Sequence, residues 1–141
     1  MMAGDRQFTH NGGMKMLGKT KIYEIPESSA IAIFDTKRVF VGFCGNADNF
    51  ATAVGWLHLP EGKPPKVKDI EMLLLNDKGQ IFHATNLVNW MRICSPFYSI
   101  GSGMHFAQAA MAAGKDPYEA VKIAATLDPS TGMKFNKLTM T

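Results

Sequence analysis

Residues 98–132 constrain the fold more than any other stretch of this chain. A Gly-Ser-Gly turn at residues 101–103 precedes a segment rich in alanine, whose small side chains let a helix lie close to a sheet or another helix. Asp116, Pro117 and Glu119 suit the N-cap, first-turn and N3 positions of a second helix, which Pro129 must end. We therefore predict two antiparallel helices, at residues 102–113 and 117–127.

The rest of the chain is predicted to consist mainly of strands, because apolar and polar residues alternate over short runs. Residues 1–5 resemble the end of a strand whose partner is missing. The other predicted elements are a loop at 6–18, strands at 19–25, 30–34, 38–44, 70–75, 80–84, 92–100 and 133–140, and a helix at 47–57. Helices in runs between groups of antiparallel strands favour an α+β layered fold, in one domain of residues 1–141.

Composition narrows the classes of function. The 141 residues suit one domain with a real core, and a net charge of +3 is too small to indicate a nucleic-acid partner. The sequence contains no run of about 18 apolar residues that would span a membrane, and its four histidines lack the spacing of metal ligands. We therefore predict no membrane partner, no metal and no cofactor. Cys44 and Cys94 lie in apolar runs and are predicted to be buried thiols in a reducing, cytoplasmic compartment.

Two candidate sites involve the first half of the chain. Asp5 ends one strand and Lys21 lies in the next, so the two side chains could meet across a sheet edge and lower the pKa of a nucleophile. The alternative is an exposed ion pair of little energetic weight. Gly45 ends a strand before a helix, where its N–H could face an oxyanion, although a tight turn explains the glycine equally well.

A third candidate site lies in the two loops that flank the helix pair. Antiparallel helices would return residues 101–103 and 128–132 to the same edge of the sheet. Ser102, Asp128 and Thr131 could then converge, and two hydroxyls with a carboxylate could hold an amine in place. Capping of the helix ends is the alternative interpretation.

The order of these motifs resembles the proteasome β-subunit family of N-terminal nucleophile hydrolases, especially its HslV-like members. The resemblance covers most of the chain outside residues 55–95. Its most specific part is the Ile-Gly-Ser-Gly turn with the alanine helix. The other matching segments are residues 3–5, 21–25, 42–45 and 128–132.

The resemblance implies a shortened four-layer αββα sandwich and a threonine-type peptidase that acts on a peptide or protein. It implies that Asp5 and Lys21 flank the nucleophile, with Lys21 favouring its ionised form, and that the Gly45 N–H is the oxyanion donor. Ser102, Asp128 and Thr131 would orient the α-amino group that acts as the base. An ATPase partner is also implied. Self-association is expected on a separate ground, because an alanine-rich helix layer and the open sheet edge left by the missing first strand both need cover.

Two departures from the family pattern leave alternatives open. The family nucleophile is a threonine on a strand before the segment at residues 3–5, and this chain has no residue in its place. Either the start lies upstream of Met1, or this form is inactive, as we expect for the chain as it stands. Residues 58–69 leave room for one helix where the family has two, and residues 26–36 suggest an extra hairpin. A non-catalytic scaffold or assembly subunit, and a hydrolase of small amides, are the rival functions.

Overall fold

The computed structural model describes residues 1–9, 15–17, 20–132 and 134–140, and these form two compact units. One unit comprises residues 1–22 and 97–141, and the other residues 23–96. Whether they constitute a single domain, as predicted for residues 1–141, stays a prediction.

The described strands and helices follow the predicted order over most of the chain, and the largest departure lies near the start of the second unit. The strands are β1 Met2–Asp5, β2 Gln7–Thr9, β3 Lys15–Leu17, β4 Ile22–Glu24, β5 Val39–Gly45, β6 Ile70–Asn76, β7 Ile81–Ala84, β8 Met91–Ile93 and β9 Phe135–Leu138. The helices are α1 Glu27–Phe34, α2 Phe50–His58, α3 Met104–Ala112 and α4 Pro117–Leu127, and a short 3-10 turn, Ala47–Asn49, precedes α2.

A sheet in the order β4-β5-β6-β7-β8 forms the centre of the second unit. Strands β5 and β6 are antiparallel from the pair Val39–Asn76 to the pair Gly45–Ile70, and β6 continues into the predicted hairpin with β7. Alternate side chains of β6 are buried, as the period of a strand requires. The fully buried side chains of this unit include Phe40 of β5, Leu57 of α2, and Met72 and Leu74 of β6.

The largest departure is α1, which replaces the strand predicted at residues 30–34 and the turn before it. The predicted extra hairpin at residues 26–36 is therefore wrong. The apolar residues 30–34 fit either period over so short a run, and tertiary contacts decide between them. Ala30 is fully buried, and the Ser29 hydroxyl donates to the carbonyl of His58 at the end of α2 (2.8 Å). Asp35 then ends the helix in the left-handed conformation, with φ of 52°.

The buried hydroxyl of Thr36, just after α1, donates to the carboxylate of Asp77 in the β6–β7 turn. This hydrogen bond is the main reason why the pKa of Asp77 lies below its ordinary value. A lowered native pKa stabilises the fold above the unfolded-state pKa, and that stabilisation is lost as the pH falls through the native pKa. In the same unit, burial raises the pKa of Tyr23, whose ring packs edge-on against Phe43.

The first unit contains the predicted helix pair. Helix α4 begins with a complete capping box: the Asp116 carboxylate accepts from the Glu119 N–H, and the Glu119 side chain accepts from the Asp116 N–H. Small buried residues let α3 and α4 pack closely, and Met111 of α3 belongs to the same buried cluster. The small residues are Ala107, Ala110, Ala120 and Ala124. The start of α3 lies against the end of α4, since a Cβ on Gly103 would be 3.3 Å from that of Ala124, so the prediction of antiparallel helices is confirmed.

Helix α4 packs on the two-stranded sheet of β1 and β9. These strands are antiparallel, with Met2 opposite Leu138 and Asp5 opposite Phe135. The expectation that the first strand lacks a partner is therefore wrong, because the last strand of the same chain pairs with it.

Three further predictions need correction. Strand β2 pairs with β3, so the loop predicted at residues 6–18 contains a hairpin; residues 10–14, 18 and 19 lie outside the described part. The strand predicted at residues 92–100 is limited to Met91–Ile93. Cys94 is exposed and Cys44 half-buried, so the predicted burial of both thiols is wrong.

Candidate active site

Asp5 and Lys21 form a close ion pair in the first unit. The distance from Lys21 Nζ to Asp5 Oδ1 is 2.6 Å, and the two side chains are 19% and 10% exposed. Strand β1 fixes Asp5 at its end. Thr20 fixes the start of β4, since its hydroxyl accepts from the N–H of Ile22 and donates to the carbonyl of the same residue. The interpretation as an exposed ion pair is wrong, because water reaches little of either group.

The second carboxylate oxygen of Asp5 has a separate partner. Asp5 Oδ2 accepts from the buried backbone N–H of Gly132 at 2.6 Å. A buried N–H without an acceptor is costly, so this bond fixes the end of the loop at residues 128–132 on β1. Sequence reasoning did not identify this contact, although Gly132 closes the Asp-Pro-Ser-Thr-Gly motif.

Asp128, at the start of the same loop, binds two other predicted site residues, Ser102 and Thr131. Its Oδ2 atom accepts from the hydroxyls of Ser102 (2.6 Å) and Thr131 (2.7 Å), and its Oδ1 atom accepts from the N–H of Ser130 (3.1 Å). Ser102 and Asp128 are 26 residues apart, so this contact goes beyond the local capping that was the alternative. The convergence predicted for Ser102, Asp128 and Thr131 is present.

Opposing helix dipoles act on the Asp128 carboxylate. It follows the last turn of α4, where a negative charge is disfavoured, and its Oδ2 would be 3.4 Å from a Cβ on Gly103, the N-cap of α3. The start of α3 and the two hydroxyls offset the unfavourable end of α4. A buried carboxylate with several donors of this kind is suited to receive a cationic amine.

The loop at residues 128–132 joins the two groups of side chains. Asp128 holds its beginning and Asp5 its end, within five consecutive residues. The first unit therefore brings together five of the six predicted site residues: Asp5, Lys21, Ser102, Asp128 and Thr131.

Gly45, the sixth predicted residue, belongs to the second unit. It ends β5 with φ of 106°, a conformation that favours glycine, and an added Cβ would lie 2.2 Å from the carbonyl oxygen of Asp69. The next N–H, that of Asn46, donates to this same oxygen. The positive φ and the close approach of the Asp69 carbonyl thus account for the glycine, and the oxyanion role of Gly45 stays a prediction.

Within the part of the chain that the structure describes, no group of three or more His, Cys, Asp or Glu side chains could hold a metal ion. In the same residues, no helix has the length and apolar character needed to cross a bilayer.

Comparison with known proteins identifies the fold. No protein-family model matches the chain, and no curated protein matches it. Among solved structures, it is similar to Thiobacillus denitrificans BPH in complex with epoxomicin, with a TM-score of 0.61 and 22% sequence identity. The match covers 95% of this chain and 88% of that one. This likeness shows the fold: the chain has a mixed α+β fold similar to that of the Thiobacillus protein, and the predicted α+β fold class is confirmed.

Proposed function

We propose that this chain is a proteasome-like, HslV-like peptidase domain that hydrolyses peptide or amide bonds when a strand beginning with threonine precedes Met1. One observation carries the proposal: the loop at residues 128–132 joins the Asp5–Lys21 pair to the Ser102–Asp128–Thr131 cluster. The fold of the N-terminal nucleophile type supports it, since this arrangement suits a nucleophile that carries its own amine base.

The pairing of β1 supports a defined place for such a strand. Among the described strands, β1 pairs only with β9, which occupies one of its two edges. A strand joined to β1 by a short turn would run antiparallel to it along the other edge. Its first residue would then lie beside the last residue of β1, which is Asp5. The threonine at the start of that strand would thus lie next to the Asp5–Lys21 ion pair.

The proposed chemistry uses the side chains of the first unit. The threonine hydroxyl attacks the carbonyl carbon, and its proton passes to the free α-amine of the same residue. The Lys21 ammonium stabilises the developing negative charge on the hydroxyl oxygen, and the Asp128 cluster orients the amine. The amine then protonates the leaving nitrogen, and water hydrolyses the acyl-enzyme. The Gly45 N–H is the proposed donor to the carbonyl oxygen.

The test compares the chain as it stands with a version preceded by a threonine-led strand and a two-residue turn. We expect the extended chain to hydrolyse peptide and small amide substrates and to be labelled at its first residue by a peptide vinyl sulfone. The chain as it stands should do neither. A matched control replaces the first threonine of the extended chain by alanine, and mass spectrometry locates the label.

Two outcomes would contradict this proposal. Labelling of the unextended chain at Ser102 or Thr131 would show a nucleophile of another kind. An extended chain that stays inactive, although sequencing shows a free threonine amine at its start, would favour a non-catalytic scaffold. Activity confined to small amides would instead favour the rival amide hydrolase. Epoxomicin, bound by the Thiobacillus protein, is a suitable compound for a binding comparison of the two chains.

We also propose that the domain self-associates. The alanines of α3 and α4 pack within the unit, but Phe106 is 40% and Leu127 57% exposed. Phe106 is near the start of α3 and Leu127 is at the end of α4, two helix ends that lie side by side, and apolar patches that are exposed and contiguous are typical of association surfaces. We further propose an ATPase partner, which the resemblance implies, and a cytoplasmic location, which the cysteine content implies.

Light scattering tests the association. We expect the chain to be larger than a monomer, and Phe106→Ser with Leu127→Ser to shift it toward the monomer without a loss of helical signal. Replacing two exposed apolar residues of the other unit, Val88→Ser with Met91→Ser, is the matched control. A strict monomer at high protein concentration would contradict the proposal.

A further inference from the structure

Gly103 stands at the point where α3, the end of α4 and the Asp128 loop meet. Its backbone has φ of −87° and ψ of 9°, values that residues with side chains also adopt. The turn therefore does not need glycine for its conformation. The reason for glycine must be the space beside it.

That space is almost filled. A Cβ on Gly103 would lie 2.7 Å from Thr131 Oγ1, 3.3 Å from the Cβ of Ala124 and 3.4 Å from Asp128 Oδ2. Contacts below 3.0 Å do not occur for real Cβ atoms, so an added methyl group must displace its neighbour. Ala124 is 2% exposed and lies in the helix interface, so it has little room to move. The Thr131 hydroxyl is the atom that has to shift.

We propose that Gly103 is a positioning residue, whose missing side chain keeps the Thr131 hydroxyl on Asp128. The hydroxyls of Thr131 and Ser102 share one carboxylate oxygen, at 2.7 Å and 2.6 Å. A methyl group at position 103 would separate Thr131 from this oxygen and change the donors around Asp128. Insofar as that change alters catalysis, the inference rests on the proposed orientation of an α-amine by this cluster.

The first test measures stability and needs no activity. We expect Gly103→Ala to lower the Tm in the native chain, and this loss to shrink by about half or more when Thr131→Ala removes the crowded oxygen. Thr131→Val, which keeps a side-chain atom in the crowded position but loses the hydrogen bond, should leave most of the loss in place. Gly55→Ala is the matched control, because no atom outside its chain neighbours and the nearby backbone of its own helix lies within 4 Å of its added Cβ; its Tm should stay the same or rise.

The second test uses the threonine-led chain. We expect Gly103→Ala to lower kcat by about tenfold or more with little change in KM, because a misplaced amine impairs the reaction step and leaves peptide binding intact. Gly55→Ala should leave both constants unchanged.

The outcomes separate this inference from the proposed function. If Gly103→Ala lowers the Tm equally whether residue 131 is threonine or alanine, the proposed role of Gly103 in positioning the Thr131 hydroxyl is overturned. An active parent whose Gly103→Ala variant keeps its kcat would overturn the catalytic consequence. An inactive parent would count against the proposed function, while the Tm comparison would still decide the role of Gly103.

Discussion

Asp5→Ala is expected to lower the free energy of unfolding by about 3 kcal/mol. Such a loss would be large for a solvent-exposed charge, but it is ordinary for a buried carboxylate. Asp5 has two partners, and alanine removes both. Lys21 loses the carboxylate 2.6 Å from its ammonium, and the buried N–H of Gly132 loses its acceptor. These partners lie on different segments, so alanine would remove a side-chain link between the loop at residues 128–132 and β1, while the backbone pairing of β1 with β9 remains. Urea unfolding, followed by circular dichroism, measures the change.

Two variants identify the source of this loss. Asp5→Asn keeps an acceptor for Gly132 while removing the charge, so we expect its effect to be smaller than that of alanine. Glu24→Ala breaks the pair with Arg38, a contact of similar length (2.7 Å) whose side chains are 40% and 35% exposed, and it should have little effect. If Glu24→Ala and Asp5→Ala lower the free energy of unfolding equally, burial is not the reason for the contribution of the Asp5 pair to stability.

Local chemistry explains which elements the sequence predicted well. The helix α4 is specified by Asp116, Pro117 and Glu119, whose roles depend only on neighbours within three residues. The hairpin of β6 and β7 is similarly specified by its turn, where the side chain of Asn76 accepts from the N–H groups of Lys78 and Gln80. Such signals depend on neighbouring residues and not on distant contacts, and both elements occur where they were predicted.

Contacts between distant segments explain what the sequence did not predict. The segment that became α1 has an ambiguous apolar pattern, and its buried Ser29 bonds to His58, 29 residues away. The pairing of β1 with β9 and the bond from Gly132 to Asp5 each join opposite ends of the chain, the latter over 127 residues. Periodicity carries no information about such partners.

The candidate site shows the same division. Residue types and their positions suggested Asp5, Lys21, Ser102, Asp128 and Thr131, the resemblance gave them roles, and the structure places these five in one unit. The resemblance did not assign a role to Gly103, because the need for glycine there comes from Thr131 and Ala124, which lie more than 20 residues away. A missing side chain gives no chemical signal in the sequence; only the space that it leaves reveals its role.

Lys21→Met is expected to have the largest effect on activity in the threonine-led chain. Methionine keeps most of the length of the side chain but removes its ammonium, which the proposed mechanism uses to stabilise the ionised nucleophile. Loss of one such activating group lowers rates by about a hundred- to ten-thousand-fold. The loss should appear in kcat, with KM nearly unchanged, since the ammonium acts on the reacting oxygen and not on the bound peptide.

A control and a second variant test whether the loss of kcat comes from the Lys21 ammonium. Lys122→Met removes an exposed lysine of the same unit, whose ammonium lies 5.5 Å from the ring centre of Tyr118, and should leave kcat unchanged. Lys21→Arg keeps a cation beside Asp5 and should preserve the Tm, yet its bulkier guanidinium cannot take the position of the ammonium, so kcat should still fall. Retention of kcat within about tenfold in Lys21→Met, with the fold intact by circular dichroism, would remove Lys21 from the mechanism. In that case the ion pair with Asp5 would serve to hold the loop at residues 128–132 on β1, and the nucleophile would depend on its own amine alone.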